Sequence, residues 1–187
     1  MTLKLWLKKF RLDYSKDIFD IVQFGSSVME DSKSNDADIA VIFQKIPLNE
    51  QLNQAQEIKK QLQKISELPI HIKSFDMYSF FDISNFAKEN IFFYGISLIS
   101  KEFFSKKIGL TPKIQISYSL KDLEKKDKIR FNYMLNGKKG KYGLLKKYGG
   151  GLICPGLIGI SPLHEDIFVN SIKKFISNFK VNKTFTI

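Results

Sequence analysis

Cysteine occurs once in this 187-residue chain, at Cys154. That excludes an intramolecular disulfide framework and fits a reducing, intracellular setting, with the cytoplasm as the expected location. Histidine occurs only at His71 and His164, so a zinc site built from Cys and His is not expected. Long hydrophobic runs are missing too. The longest, around Leu152 to Leu163, is interrupted by Pro155 and Pro162 and is too short to cross a bilayer. The apolar part of Met1 to Phe10 is too short for a secretory leader and reads as a short amphipathic helix over residues 2–11. No membrane partner is expected. The stretch Gly137 to Gly143 contains no Gly-x-x-x-x-Gly-Lys-Ser/Thr, and Gly149 to Gly151 lacks the dinucleotide-binding spacing. No nucleophile-elbow spacing points to a hydrolase.

Acidic residues are scarce in one half only. Residues 1–105 hold 13 Lys+Arg and 14 Asp+Glu, a balance of −1, whereas residues 106–187 hold 17 Lys+Arg and 5 Asp+Glu, a balance of +12, so the whole net charge of +11 comes from the second half. Solubility does not require such segregation, and a basic half is the usual footprint of a polyanion partner. The alternative is a solvated Lys-rich surface. What remains is ordinary for a globular protein: 43% hydrophobic and 26% charged residues, with 17 Phe available for a core. The chain divides in composition near Phe104, giving two expected domains, 1–105 and 106–187.

Periodicity supplies the elements. Ile18 to Phe24 and Ile39 to Phe43 read as strands, the second apolar on both faces and so central. Leu52, Ala55, Ile58, Leu62 and Ile65 recur at helical spacing between Pro47 and Leu68. Ile70 to Phe75 alternates as a strand, 77–90 reads as helix, and Phe93 to Ser100 as an extended segment. In the second half, Lys113 to Tyr118 reads as a strand, and Ser119 to Asp122 as a capping box opening a helix to about Leu135. Leu152 to Ile160 reads as a strand interrupted at Pro155, Phe168 to Phe179 as one helical face, and Val181 to Ile187 as a last strand. The fold class is α/β in the broad sense (α+β): a small mixed-sheet core followed by a compact basic α+β domain.

One stretch concentrates the chemistry. Phe24-Gly25-Ser26 closes the first strand, and Asp36-Ala37-Asp38 leads into the second. In a strand, Asp36 and Asp38 fall on one face, roughly 7 Å apart. Two carboxylates held that close repel by about 1 to 4 kcal/mol, depending on how wet the site is. A divalent cation removes the repulsion, and hard oxygen ligands suit Mg²⁺. The Gly25-Ser26 turn offers backbone N–H groups to a phosphate. If Ile70 and Ile72 face the core, His71 and Lys73 face this site.

Gly25-Ser26, nine intervening residues, Asp36-x-Asp38 and a β-branched strand resemble the signature of the polymerase-β-like nucleotidyltransferases, of the minimal type. The resemblance covers roughly residues 15–104. It implies that Gly25, Ser26 and Ser27 bind the triphosphate of an NTP substrate, that Asp36 and Asp38 hold Mg²⁺ (or Mn²⁺), and that nucleotidyl transfer is the reaction. The family usually adds a third carboxylate on the neighbouring strand, where this chain has His71. The imidazole suits a general base for the attacking hydroxyl, with Asp76 the other candidate to complete the metal shell. No basic residue follows the turn, where Ser27-Val28-Met29-Glu30 stands.

In the basic half, Lys125, Lys126, Lys128 and Arg130 stand on the expected helix. Lys138, Lys139, Lys141, Tyr142, Lys146 and Lys147 stand in and after a Gly-rich segment read as a flexible loop. Lysines interleaved with an aromatic ring suit phosphate contact with base stacking, so these ten residues are the expected nucleic-acid-binding set. The sequence reads as a metal-dependent nucleotidyltransferase acting on RNA or DNA. Two alternatives stay open: a nucleic-acid-binding or regulatory module on the same fold without turnover, and transfer to a protein or small molecule, in which case the basic half would bind a protein partner.

Overall fold

Apolar runs bounded by Gly, Pro and Asp become a mixed sheet in the computed structural model, which describes residues 5, 8–30 and 34–187. The chain divides into two compact units, residues 1–28 with 32–109, and residues 29–31 with 110–187. The architecture is α+β in both.

In the first unit, β1 (Ile18–Phe24) leads through a 3₁₀ turn (Gly25–Val28) to β2 (Ala37–Phe43), which runs antiparallel to it. Helix α1 (Leu48–Gln63) then crosses over to β3 (Ile70–Asp76), parallel to β2. Helices α2 (Met77–Phe81) and α3 (Lys88–Tyr94) precede the short strand β4 (Ile96–Ser97), antiparallel to β1. The sheet order is β3-β2-β1-β4.

Both faces of this sheet are covered, which is why β1 and β2 are apolar almost throughout. On one face Ile21, Ile39, Val41 and Ile70 pack with Ala55, Ile58 and Leu62 of α1. On the other, Val22, Phe24, Ala40 and Ile42 pack with Phe80, Ile91 and Phe104. Phe80 is fully buried, with the rings of Phe75, Phe81, Phe92 and Phe104 between 5.3 and 5.9 Å away.

Several boundaries differ from the sequence reading. Half of the helix expected over 2–11 (residues 2–4, 6 and 7) lies outside the described residues, Leu5 has 3₁₀ conformation, and 8–11 are not helical. Helix α1 stops at Gln63 because Ser66 folds its hydroxyl onto the Leu68 carbonyl, a local bond that competes with helix. The single helix expected over 77–90 is two. Between them Asp82 accepts from the Ser84 N–H, and Asn85 donates to the Phe80 carbonyl, so side chains take the bonds a continuous helix would need. Phe93 and Tyr94 end α3 instead of starting a strand, which leaves only Ile96–Ser97 extended.

The second unit is built on an antiparallel sheet in the order β10-β5-β9-β8. Its elements are β5 (Thr111–Tyr118), α4 (Lys125–Asn136), the small hairpin β6 (Gly137–Lys138) and β7 (Lys141–Tyr142), α5 (Leu144–Lys147), the hairpin β8 (Gly151–Cys154) and β9 (Leu157–Ile160), α6 (Glu165–Lys173) and β10 (Phe179–Thr186). Ile114, Ile116, Ile158 and Ile160 of the sheet are buried, as are Phe131 and Leu135 of α4 and Phe168 and Ile172 of α6. The ring of Phe131 lies 5.0 Å from Tyr118 and 5.7 Å from Phe175. Ser119 does not open α4. Its hydroxyl accepts from Lys121 in a turn, and the helix begins six residues later. The Gly-rich segment after α4 is a paired hairpin, not an open loop. The strand broken at Pro155 is the β8–β9 hairpin, and Phe179 opens β10 instead of closing α6.

Candidate metal and nucleotide site

Register puts three polar side chains in one row. Asp38, the second residue of β2, pairs with Phe24 at the end of β1 and with His71 in β3. Strand alternation then sends Lys73 to the face that His71 occupies. Asp36 lies just before β2, where the Ala37 N–H bonds the Pro69 carbonyl and holds the two strand entrances together.

The donor atoms converge. One carboxylate oxygen each from Asp36 and Asp38 and one ring nitrogen of His71 lie within 4.8 Å of one another. His71 Nδ1 is 3.2 Å from Asp36 Oδ2. Burial pushes the Asp38 carboxyl above its ordinary range, and the charge of Asp36 adds to the rise. Lys73 and His71 oppose it. Two anionic oxygens and one imidazole nitrogen form a donor set that a divalent cation fits, and the unfavourable charge at Asp38 is what such an ion would offset.

The glycine turn abuts the same group. Gly25 has φ +75°, and a Cβ built there would stand 2.7 Å from Asp38 Oδ2. Only a residue without a side chain lets the turn come this close in this conformation. Ser26 is exposed, its hydroxyl 3.1 Å from that of Ser34. Ser27 is placed differently from Gly25 and Ser26. It is buried, its hydroxyl donates to the Phe24 carbonyl and accepts from Gln23 Nε2, so it braces the turn from inside.

Asp76 does not join the cluster. It caps α2 in a reciprocal box with Ser79, and the Ser79 N–H holds its carboxyl below the ordinary range. Lys73 Nζ lies 5.9 Å from the centre of the Phe24 ring, and its charge acts to lower the Asp38 carboxyl. Comparison with models of protein families, with curated proteins and with solved structures finds no match. The case for the site therefore stands on its residues.

Sequence reading missed a second polar group in this unit. Asp20, within the apolar run of β1, is fully buried. It accepts from Ser97 Oγ at 2.7 Å and from the Ile21 N–H at 2.8 Å, and Lys107 Nζ lies 3.0 Å from its other oxygen. An acid inside an apolar strand was the available signal.

The basic residues of the second unit are mostly exposed. Lys125, Lys126 and Arg130 project from α4 to solvent. Lys128 is half-buried, its ammonium bonded to the Lys121 carbonyl. Arg130 pairs with Asp127 at 3.4 Å. Lys138, Lys139, Lys141 and Tyr142 stand on the β6–β7 hairpin, with Lys138 Nζ 5.4 Å from the Tyr133 ring and Lys146 Nζ 4.3 Å from the Tyr142 ring. Lys147 packs over Tyr148 at 4.9 Å. Among the described residues no helix is long and apolar enough to cross a membrane.

Proposed function

We propose that this protein is a metal-dependent nucleotidyltransferase that moves a nucleotidyl group from an NTP to a nucleic-acid hydroxyl in the cytoplasm. The observation that carries the reading is the meeting of Asp36, Asp38 and His71 beside the left-handed Gly25 turn. Asp36 and Asp38 would hold Mg²⁺ or Mn²⁺, and the ion would supply charge neutralisation for a bound triphosphate. The amides of the Gly25-Ser26 turn receive phosphate oxygens. Lys73 supplies the positive charge that no residue after the turn provides. Here His71 acts as the base and not as a metal ligand: the acceptor oxygen bonds to the α-phosphorus as pyrophosphate leaves, and its proton passes to His71 Nε2, with Nδ1–H turned to the Asp36 carboxylate 3.2 Å away. The lysines and tyrosines of the second unit bind the acceptor as a polyanion.

The test is transfer of label from radiolabelled NTP to RNA or DNA in Mg²⁺ or Mn²⁺. Asp36→Ala combined with Asp38→Ala should lower transfer by at least about 100-fold, since charge neutralisation by a metal supplies several kcal/mol. Unchanged labelling by the double variant would refute the assignment. The imidazole at the position of a third carboxylate favours a second reading, a nucleic-acid-binding module without turnover. It predicts salt-sensitive polyanion binding by the wild type and no incorporation with any metal.

A further inference from the structure

Lys101 combines three unusual features. It is the one non-glycine residue with positive φ among the described residues, at +63°. The left-handed region is disfavoured for any residue that carries a Cβ. The backbone of Lys101 is held there by the turn after β4, where the Lys101 N–H bonds the Ser97 carbonyl and the Ser97 hydroxyl accepts from the Ile99 and Ser100 N–H groups. Its ammonium is shielded from solvent and has no hydrogen-bond partner among the described residues. The ring of Phe10, 4.0 Å away, covers it instead. Burial pulls this ammonium below its ordinary value.

The same residue lines a hollow of about 760 Å³, with the Phe10 ring standing over its ammonium. Arg11 and Lys16 line it as well, against the single carboxylate of Asp13, and Leu98 and Ile99 give it an apolar side. The wall is fixed by Gln61, which donates to the Asp13 carbonyl and accepts from the Asp13 N–H, each at 2.8 Å. A hollow of this size with an apolar side and a few convergent polar groups is the usual form of a small-molecule site.

We propose that this hollow binds a small organic anion, a phosphate ester or a carboxylate on an apolar body, with Lys101 as its charge-recognising residue. A buried ammonium facing only a ring lacks the hydrogen bonds that a paired one has. An anion supplies them when the Phe10 ring turns aside. Phe10 sits in the irregular stretch 9–15 and is partly buried against the core that contains Ile21, Ile39 and Val41, so its ring gives up part of that packing when the anion enters. Arg11 and Lys16 add charge at the mouth, and Leu98 and Ile99 receive the apolar body. The site shares no residue with Asp36, Asp38 or His71, so it stands whether or not the protein transfers nucleotides.

The test is calorimetric titration of the full chain with phenyl phosphate, benzoate and inorganic phosphate. At least one organic anion should saturate one site per chain at millimolar concentration or below, more tightly than inorganic phosphate. Whichever of the two binds better identifies the head group. Lys101→Met should weaken that binding by about tenfold or more while leaving the amide spectrum of the fold intact. If that variant does not fold, ¹³C titration of Lys101 in the wild type decides: saturation must move its deprotonation to higher pH. No saturation by either organic anion, equal binding by Lys101→Met, or an unmoved lysine titration overturns the proposal.

Discussion

Gly25 meets two demands at once, a left-handed backbone and room for the Asp38 carboxylate. Alanine there faces the left-handed cost of about 1 to 2 kcal/mol and also pushes Asp38 Oδ2 from its place. Gly25→Ala should lower unfolding free energy by roughly that amount in urea titration. It should reduce NTP labelling far more than the fraction unfolded explains. A Gly25→Ala protein that labels like the wild type would separate the turn from the site. At this scale the sequence was partly legible. Period-2 alternation was enough to bring Asp38, His71 and Lys73 to one face, because both strands are regular there, and Asp36, one residue before the ladder, still reaches His71 at 3.2 Å. It could not show that Ser27 turns inward to Gln23, or that Asp76 is spent on Ser79, because both outcomes depend on local hydrogen bonds.

Strand β1 carries a cost that its apolar neighbours do not share. Burial raises the Asp20 carboxyl above its ordinary value of 3.8, although Ser97, Lys107 and the Ile21 N–H all act to lower it. The folded protein therefore holds this proton more firmly than the unfolded chain does. Its contribution is fully present below the ordinary value and is lost as pH rises through the raised one. Urea midpoints measured from about pH 4 to about pH 7 should show the wild type losing stability relative to Asp20→Asn as pH rises. Parallel curves would mean that Lys107 compensates the burial in full. Helix α1 was legible from apolar spacing alone, and so were the strands on either side of it. The division of 77–90 was not, because Asp82, Ser84 and Asn85 form bonds that no hydrophobic period records. Nor was the tie from Asp20 to Ser97 and Lys107, which joins residues far apart in the chain.

Over the whole molecule, the composition break near Phe104 and the division at Gly109 and Leu110 lie close together, since the charge of the chain changes where one sheet ends and the next begins. The exposed lysines on the β6–β7 hairpin give the polyanion reading a quantitative consequence. Replacing Lys138, Lys139 and Lys141 by Gln should reduce the slope of log affinity against log salt for single-stranded RNA by roughly 0.7 for each phosphate that is no longer neutralised. An unchanged slope would move the interface off this hairpin. The proposed transfer requires, above all, that Asp36 and Asp38 share one dication beside Gly25. Crystals soaked in Mn²⁺ and an NTP test it most directly through the anomalous signal of the metal. The expected result is a peak bonded to both carboxylates, with the triphosphate against the Gly25-Ser26 turn. Manganese bound elsewhere, or a nucleotide that avoids this turn, would contradict it.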